Sequence, residues 1–389
     1  MNKKRVNMKL LVVGHTYLSS INKKKWEVYS SVYPADLVTV ITPTLWKDAL
    51  FTVSSQAKNQ KGTVFFQEYS VAHHGNEVLH RYSWGDVWRI VKNTSPDILL
   101  VEQGLNAFSY FQFITVCLLQ GLFVPFVFFT WVNWRHPWGW KYTLFWSFIE
   151  RFNRFFSTAA VVGNPEASRL LREDGFNGPV LVAPQLGIDV EHEQIISKKK
   201  CIGFVGRLTV EKGVDNLIQA FAQVVLSQPD LELLIVGSGK EEIFLKNLAE
   251  SLGVAEKVIF TGSVDHYRAI ELIKTLSILV LPSKDTALWK EQFGHVLIEA
   301  MAHGVAVVGS DAGAIPWVIK DGGLVFEQGN VDNLAHKLRL LLQDDQLRQG
   351  CIERANKLIE EEYSHEAVAK KLGTFLHTIA AKKSRQAGV

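Results

Sequence analysis

The fold is decided by a stretch in the second half of the chain, residues 290–299, KEQFGHVLIE. Before it, residues 276–281 form an aliphatic run that ends at a proline, as expected for a parallel strand buried on both faces. From Gly294 onward apolar residues recur at helical spacing, which predicts a helix that begins between Phe293 and His295. The unpaired N–H groups of such a helix start attract phosphates and polar sugar edges.

Two carboxylates flank this predicted helix start. Glu291 lies in the loop before it, and Glu299 lies about a turn and a half inside the helix. Both carboxylates can therefore face one cleft and accept hydrogen bonds from a polyhydroxylated ligand. The alternative interpretation is a pair of solvated surface glutamates, and the spacing alone does not separate the two.

A second candidate site lies upstream in residues 201–215, CIGFVGRLTVEKGVD. A predicted strand ends there at Gly206, and two cations follow before a run with helical periodicity. Arg207 suits bidentate binding of phosphate oxygens, and Lys212 suits binding as a point charge. An ordinary surface arginine and lysine beside a loop are the alternative interpretation.

Together the two segments resemble the nucleotide-sugar site of the family 4 (group 1) retaining glycosyltransferases, which have the GT-B fold. The motifs of the resemblance lie within residues 201–330, and the rest of the chain matches by general layout. The resemblance implies that Arg207 and Lys212 hold the donor diphosphate and act in catalysis. It further implies that Glu291 contacts the sugar hydroxyls as the third catalytic residue and that Glu299 binds the ribose. The other donor-binding residues predicted at strand ends and at the helix start are Gly14, Gly206, Gly237, Thr261, Phe293, Gly294, His295 and Val296.

Strand-like and helix-like segments alternate through both halves of the chain, which predicts an α/β protein of doubly wound sheets. The resemblance implies two Rossmann-like domains that face each other across a cleft. Residues 1–188 are then the acceptor-binding domain, and residues 189–365 are the nucleotide-sugar-binding domain. The tail, residues 366–389, is expected to be helical and to cross back to the first domain.

The enzyme implied by the resemblance is a hexosyltransferase. It moves a hexose-type sugar from a nucleotide diphosphate sugar to a hydroxyl of a lipid-linked or polysaccharide acceptor, with retention of configuration and without metal. No cofactor is expected beyond the donor substrate, and the three cysteines and twelve histidines show no metal-ligand spacing. Family members carry a Gly-Gly pair after the first strand and a histidine near the reacting sugar. Here Gly14 stands alone before His15, and residues 130–133 read TWVN where that histidine is expected, so His15 or His136 would have to take its place.

Other functional classes were weighed against this one. A dinucleotide fingerprint needs a third glycine after Gly237 and Gly239, but Glu242 stands in its place, and no complete P-loop is present. A sugar-nucleotide epimerase or phosphorylase of the same fold stays open as an alternative. So does a nucleotide-sugar-binding protein without turnover.

The first half raises the question of a membrane. Residues 103–134 carry no charge and are long enough to span a bilayer, although a glycine and a proline divide them into a helix-length and a strand-length piece. Residues 131–156 then interleave Trp and Phe with Arg and Lys, which fits either a membrane interface or rings that pack into the core or line an acceptor groove. Residues 1–188 hold 19 Lys and Arg against 12 Asp and Glu. We expect a cytoplasmic protein, with peripheral contact to the inner membrane surface as the open alternative, and no nucleic-acid partner.

Overall fold

The computed structural model describes residues 8–47, 52–54, 60–135, 140–190 and 200–386, and for 52–54, 60–61, 140–145 and 383–386 it describes the backbone only. The chain divides into two compact units. The first unit comprises Met1–Gly187 and His365–Val389, and the second comprises Ile188–Ser364. Each division lies one residue before the corresponding predicted boundary.

The first unit is built on a mainly parallel sheet of eight strands, in the order β12-β11-β10-β9-β1-β2-β6-β5. Only β5 runs antiparallel to its neighbour. Two small antiparallel pairs, β3 with β4 and β7 with β8, lie outside this sheet. The strands are β1 Lys9–Val13, β2 Leu37–Pro43, β3 Leu45–Lys47, β4 Thr52–Ser54, β5 Gln60–Lys61, β6 Val64–Tyr69, β7 Val71–Ala72, β8 Arg81–Tyr82, β9 Ile98–Val101, β10 Phe126–Thr130, β11 Ser157–Val162 and β12 Val180–Val182.

Helices cover both faces of this sheet. The helices from the first part of the chain are α1 Ser20–Val32, α2 Trp84–Thr94, α3 Phe108–Leu119, α4 Trp140–Phe156 and α5 Pro165–Glu173. Buried residues of α2, α3 and α5 join one hydrophobic cluster with the strands, and buried residues of α1 join another. Because both faces are covered, the central strands are largely apolar: β9 is apolar throughout, and β1 is apolar after Lys9.

The second unit contains six parallel strands in the order β15-β14-β13-β16-β17-β18. The strands are β13 Cys201–Val205, β14 Glu232–Val236, β15 Val258–Gly262, β16 Ile278–Leu281, β17 Ala306–Ser310 and β18 Leu324–Phe326. The helices are α6 Val214–Val225, α7 Glu242–Ser251, α8 His266–Lys274, α9 His295–Ala302, α10 Ile315–Ile319, α11 Val331–Gln343 and α12 Asp345–Leu358, and a π-helix follows at Ile359–Tyr363. Numbered along the unit, the strand order is 3-2-1-4-5-6, which is the order of a Rossmann fold.

The last helix, α13 His365–Gln386, belongs to the first unit. Its residues Leu372 and Leu376 join the same hydrophobic cluster as Trp26 of α1. The Tyr33 hydroxyl at the end of α1 donates to the Lys370 carbonyl at 3.1 Å. The tail of the chain is therefore part of the core of the first unit.

The uncharged segment that suggested a transmembrane helix forms α3 and β10. Gly121 adopts a positive φ of 72° just after α3, and the chain then turns back into the sheet. Phe113 on the helix and Phe128 on the strand are both buried in one hydrophobic cluster. No helix in the described part of the chain is long and apolar enough to cross a membrane.

Candidate functional site

The candidate site of the second unit lies where its strand order reverses. β13 and β16 are parallel neighbours in the centre of the sheet, and the connections that follow them leave from the same edge. In open α/β sheets ligands bind outside the carboxyl ends of the strands at such a reversal. The two connections, residues 206–213 and 282–294, hold Arg207, Lys212 and Glu291.

The loop after β13 approaches the loop after β16 at Gly213. Gly213 has a φ of 65° and precedes the first residue of α6. A Cβ atom at this position would lie 2.0 Å from the Pro282 carbonyl oxygen, so only glycine fits between the two loops. A backbone hydrogen bond of 2.7 Å from Lys284 N–H to the Glu211 carbonyl joins the same loops.

Lys212 and Glu291 form a close ion pair between these loops. Lys212 Nζ lies 2.6 Å from Glu291 Oε2, and the two side chains are only 14% and 9% exposed. The Ser283 hydroxyl donates to the same carboxylate oxygen at 2.9 Å, and Lys212 Nζ lies 4.6 Å from the centre of the Trp289 ring. The cation is thus held by a carboxylate and by a π face, both of which fix its position.

A second ion pair joins the same two connections. Lys284 Nζ lies 2.8 and 2.9 Å from the two carboxylate oxygens of Asp215, at the first turn of α6. Arg207, in contrast, has an exposed side chain directly after Gly206. The reversal point therefore presents one exposed guanidinium beside two lysines that are each paired with a carboxylate.

The predicted helix start is confirmed. Helix α9 begins at His295, and its cap residue Gly294 has a φ of 82°. The Phe293 ring is buried against Trp317 and Tyr363, so its side chain belongs to the core and only its backbone lies at the helix start. Val296 is the second residue of the helix, and the Leu297 N–H donates to the Gly294 carbonyl at 2.9 Å.

Glu299 lies on α9 in a different environment from Glu291. Its side chain is half-buried, and burial raises the pKa of the Glu299 carboxyl, while the nearby His266 at the start of α8 opposes that increase. Glu291, in contrast, bonds Lys212 and Ser283. The two carboxylates thus have different partners, although they follow the same strand.

The remaining predicted residues of this unit lie at strand ends. A Cβ atom at Gly237 would lie 1.9 Å from the Gly206 carbonyl oxygen, so this glycine lets the ends of β14 and β13 approach each other. Thr261 is exposed near the end of β15, at the border of the sheet. Gly206, Gly237 and Thr261 thus lie at or near the carboxyl ends of their strands. The loop with Arg207 and Lys212 leaves from the same side of the sheet.

Gly14 belongs to the first unit, at the end of β1. The strand order of that sheet reverses between β1 and β9, so Gly14 and His15 lie at a reversal point of their own. The His15 ring stacks on Trp46 with 4.3 Å between the ring centres, and Gln103 Nε2 lies 3.4 Å from His15 Nδ1. His136, the other candidate for the missing family histidine, lies outside the described residues.

Several residues around Lys212 and Glu291 were not predicted from the sequence. Ser283, Lys284 and Trp289 lie in the loop after β16, and none of them was singled out. The pairing of Lys284 with Asp215 had an available signal, because opposite charges follow two strands whose carboxyl ends meet at one edge. The contact of Trp289 with Lys212 depends on how the loop folds and has no such signal.

No group of three or more His, Cys, Asp or Glu side chains placed to hold a metal ion occurs among the residues that the structure describes. The three cysteines, Cys117, Cys201 and Cys351, are buried and form no disulfide bond.

Comparison with known proteins finds a family match within the second unit. Residues 188–358 match the family model described as "Glycosyl transferases group 1". The N-acetyl-alpha-D-glucosaminyl L-malate synthase of Bacillus anthracis is 32% identical over 187 residues, which are 48% of this chain and 47% of that protein. The GDP-mannose-dependent monoacylated alpha-(1-6)-phosphatidylinositol monomannoside mannosyltransferase of Corynebacterium glutamicum is 33% identical over 211 residues, 49% of this chain and 55% of the relative. The chain spans about half the length of the curated relatives it matches.

Solved structures share the fold over nearly the whole chain. The sucrose-phosphate synthase of Thermosynechococcus elongatus superposes with a TM-score of 0.68 at 16% identity and covers 96% of this chain and 99% of that structure. The Anabaena protein HepE in complex with UDP and glucose gives a TM-score of 0.66 at 16% identity, with 96% and 100% coverage. The predicted α/β fold class with two Rossmann-like units, GT-B, is confirmed.

Proposed function

Since the second unit matches the group 1 glycosyl transferases, we propose that this chain is a glycosyltransferase that uses a nucleotide diphosphate sugar as donor. The observation that carries the proposal is the cluster of Lys212, Glu291 and Ser283 at the reversal point of the second sheet, next to the exposed Arg207. Two cations at a strand edge and a helix start that supplies N–H groups suit a diphosphate.

The residues of the cluster have separate roles in the proposed reaction. As the bond between the sugar and the diphosphate breaks, negative charge grows on the β-phosphate oxygens. Arg207 and Lys212 stabilise that charge, and the start of α9 at Gly294 adds backbone N–H groups. Lys212 exchanges part of its contact with Glu291 for the phosphate, which leaves the Glu291 carboxylate able to accept hydrogen bonds from sugar hydroxyls.

The finer features of the reaction are part of the same proposal. Transfer proceeds with retention at the anomeric carbon and without a metal ion, because the two cations neutralise the leaving diphosphate. The sugar is a hexose, and the acceptor is a hydroxyl of a lipid-linked sugar or a polysaccharide, reached at the cytoplasmic side of the membrane. The mannosyltransferase among the relatives, named for a phosphatidylinositol monomannoside, supports a lipid-linked acceptor.

The test is nucleotide release from UDP-, GDP-, ADP- and dTDP-sugars, with detergent-solubilised membrane lipids added or omitted. The unchanged chain is compared with Arg207→Ala and Glu291→Ala, and with Arg354→Ala as a matched control, because Arg354 lies on α12 and bonds the Asp321 carbonyl. We expect release from one donor, stimulation by lipid, and loss of about 100-fold or more in the two site variants.

Each other outcome assigns a different function. Binding of a donor without release under any condition indicates a nucleotide-sugar-binding protein. Release that needs inorganic phosphate indicates a phosphorylase, and conversion of the donor to a second nucleotide sugar without acceptor indicates an epimerase. Retention is read from the anomeric configuration of the product by nuclear magnetic resonance.

A further inference from the structure

Helix α4 carries an exposed stripe of aromatic and basic side chains. Phe148 and Phe155 are 59% and 81% exposed, and Arg151 is exposed between them. The three positions are spaced three and four residues apart, so they lie on one side of the helix. The opposite side is buried through Ile149 and Asn153, whose amide donates to the Leu105 carbonyl at 2.7 Å.

Helix α2 carries a similar stripe. Trp84 and Trp88 are 47% and 43% exposed, and the exposed Lys92 follows at the same spacing of four residues. The other side of the helix is buried in the core through Val87 and Ile90. Neither tryptophan belongs to the two hydrophobic clusters of this unit.

Helix α3 connects the two stripes. The Gln120 amide at its end donates to the Trp88 carbonyl of α2 at 2.9 Å. The Phe111 ring of the same helix lies 6.5 Å from the Phe148 ring of α4, centre to centre. Leu119, between these contacts, is 69% exposed. We call this surface, formed by the outer sides of α2, α3 and α4, the aromatic face.

The exposed cations of the two stripes are Lys92 and Arg151. Over their whole length, helices α2 to α4 contain five Lys and Arg against two Asp and Glu, and α3 contains none of either sign. Aromatic rings interleaved with cations on helices that lie side by side match the interfacial region of an anionic bilayer. There the rings insert at the level of the headgroups while the cations contact lipid phosphates.

We propose that the aromatic face docks the first unit on the surface of an anionic phospholipid membrane, with α2, α3 and α4 lying against the headgroups. This inference is independent of the proposed transfer reaction, because it concerns a surface of the other unit. A second copy of the chain fits the face less well. A symmetric pairing would bring the same cations, such as Lys92 and Arg151, towards one another in the interface.

The experiment measures binding of the full chain to vesicles by flotation. Vesicles of phosphatidylcholine alone are compared with vesicles that also contain phosphatidylglycerol. The unchanged chain is expected to partition about tenfold or more strongly onto the anionic vesicles, and added salt is expected to lower that binding. Equal binding to both vesicle types, or no binding to either, would overturn the proposal.

Variants then locate the surface. We expect Phe148→Ser/Phe155→Ser on α4 and Trp84→Ser/Trp88→Ser on α2 each to weaken binding to the anionic vesicles about tenfold. The matched control is Leu226→Ser/Ile243→Ser, which removes two side chains of the second unit that are 84% and 76% exposed, and it is expected to bind unchanged.

Two results would contradict the assignment. If Phe148→Ser/Phe155→Ser and Trp84→Ser/Trp88→Ser both bind vesicles as strongly as the unchanged chain, the membrane contact lies elsewhere. Thermal unfolding midpoints show whether the two variants are folded. A dimer in analytical ultracentrifugation that these variants dissociate, without vesicle binding by the unchanged chain, would assign the aromatic face to contact between copies. Lys92→Gln/Arg151→Gln keeps every ring and is expected to lose the preference for phosphatidylglycerol.

Discussion

The pair of Lys212 and Glu291 fixes the lysine at the place where we propose that an anion binds. Each side chain is largely buried, and a buried charge without a partner is strongly unfavourable. In the structure each charge compensates the other, and Ser283 and Trp289 add a hydrogen bond and a π contact. A diphosphate that contacts Lys212 replaces one anionic partner with another, so the lysine need not move into solvent first.

Replacement of Lys212 separates stability from activity. Lys212→Met leaves the Glu291 carboxylate with its cation removed, and we expect the free energy of unfolding to fall by about 3 kcal/mol. Nucleotide release is expected to fall about 100-fold or more. The double variant Lys212→Met/Glu291→Gln removes both charges and is expected to recover most of the stability but none of the release. Recovery of release in the double variant would contradict the role of Lys212.

His80 predicts a dependence of stability on pH. The side chain is fully buried, and burial, together with a smaller effect of the neighbouring His15, lowers its pKa from 6.5 to about 4. Gln103 Nε2 lies 2.9 Å from His80 Nε2, which fits a neutral ring that accepts this hydrogen bond. As the pH falls below 6.5, His80 binds a proton in the unfolded chain but not in the folded chain. The free energy of unfolding therefore decreases as the pH falls.

The expected loss of free energy of unfolding from His80 alone is at most about 3 kcal/mol between pH 6.5 and pH 4, and no further loss from this group follows below that range. Urea unfolding of the unchanged chain and of His80→Gln at several pH values measures the effect. The difference in slope between the two proteins belongs to His80. Equal slopes would show that the ring titrates near its ordinary pKa.

At the scale of the elements, the two loops of the candidate site depend on Gly213. Gly213 and Gly253 have similar positive φ values, 65° and 68°. A Cβ atom at Gly213 would collide with the Pro282 carbonyl oxygen, whereas a Cβ atom at Gly253 would meet nothing within 4 Å. Gly253→Ala is therefore a matched control that carries the backbone cost alone.

We expect Gly253→Ala to lower the free energy of unfolding by about 1 kcal/mol and Gly213→Ala by about 3 kcal/mol or more. The larger loss comes from the forced separation of the loops after β13 and β16, so Gly213→Ala is also expected to weaken nucleotide binding. Urea unfolding and calorimetric titration with nucleotide measure the two effects. Equal losses of stability in both variants would mean that the loops separate without cost.

The sequence was informative about elements because apolar runs and helical spacing reflect burial directly. The start of α9 at His295 and the buried strand β16 followed from residues 276–299 alone. The environment of Glu291 could not be predicted, because Ser283 and Lys212 reach it only after two loops fold against each other. The aromatic residues 131–156 were ambiguous for the same reason. Phe152 packs against the core while Phe155 is exposed, and helical phase in the folded unit decides between them.

At the scale of the whole molecule, both units repeat one arrangement. Each has a sheet whose strand order reverses beside its first strand, β1 in the first unit and β13 in the second. Gly14 and Gly206 are the residues that directly follow these two strands. In the proposed function the second unit, which carries the cations and the family match, binds the donor, and the first unit binds the acceptor.

The proposed absence of a metal requirement is a prediction for the complete chain. Nucleotide release measured with and without a chelator is expected to differ by less than about twofold, because Arg207 and Lys212 neutralise the leaving diphosphate. The control is the unchanged chain with added Mg²⁺. Loss of release on chelation, restored by Mg²⁺, would transfer the neutralising role to a metal ion.

The proposed function depends on binding of a nucleoside diphosphate by Arg207 and Lys212 at the reversal point of the second sheet. Calorimetric titration of the complete chain with UDP, GDP, ADP and dTDP tests it most directly, with Arg207→Ala and the control Arg354→Ala alongside. We expect one of the four diphosphates to bind. We expect Arg207→Ala to weaken the affinity for that diphosphate about tenfold or more, and Arg354→Ala to leave this affinity unchanged. Binding of none of the four, or equal affinity in all three proteins, would contradict it.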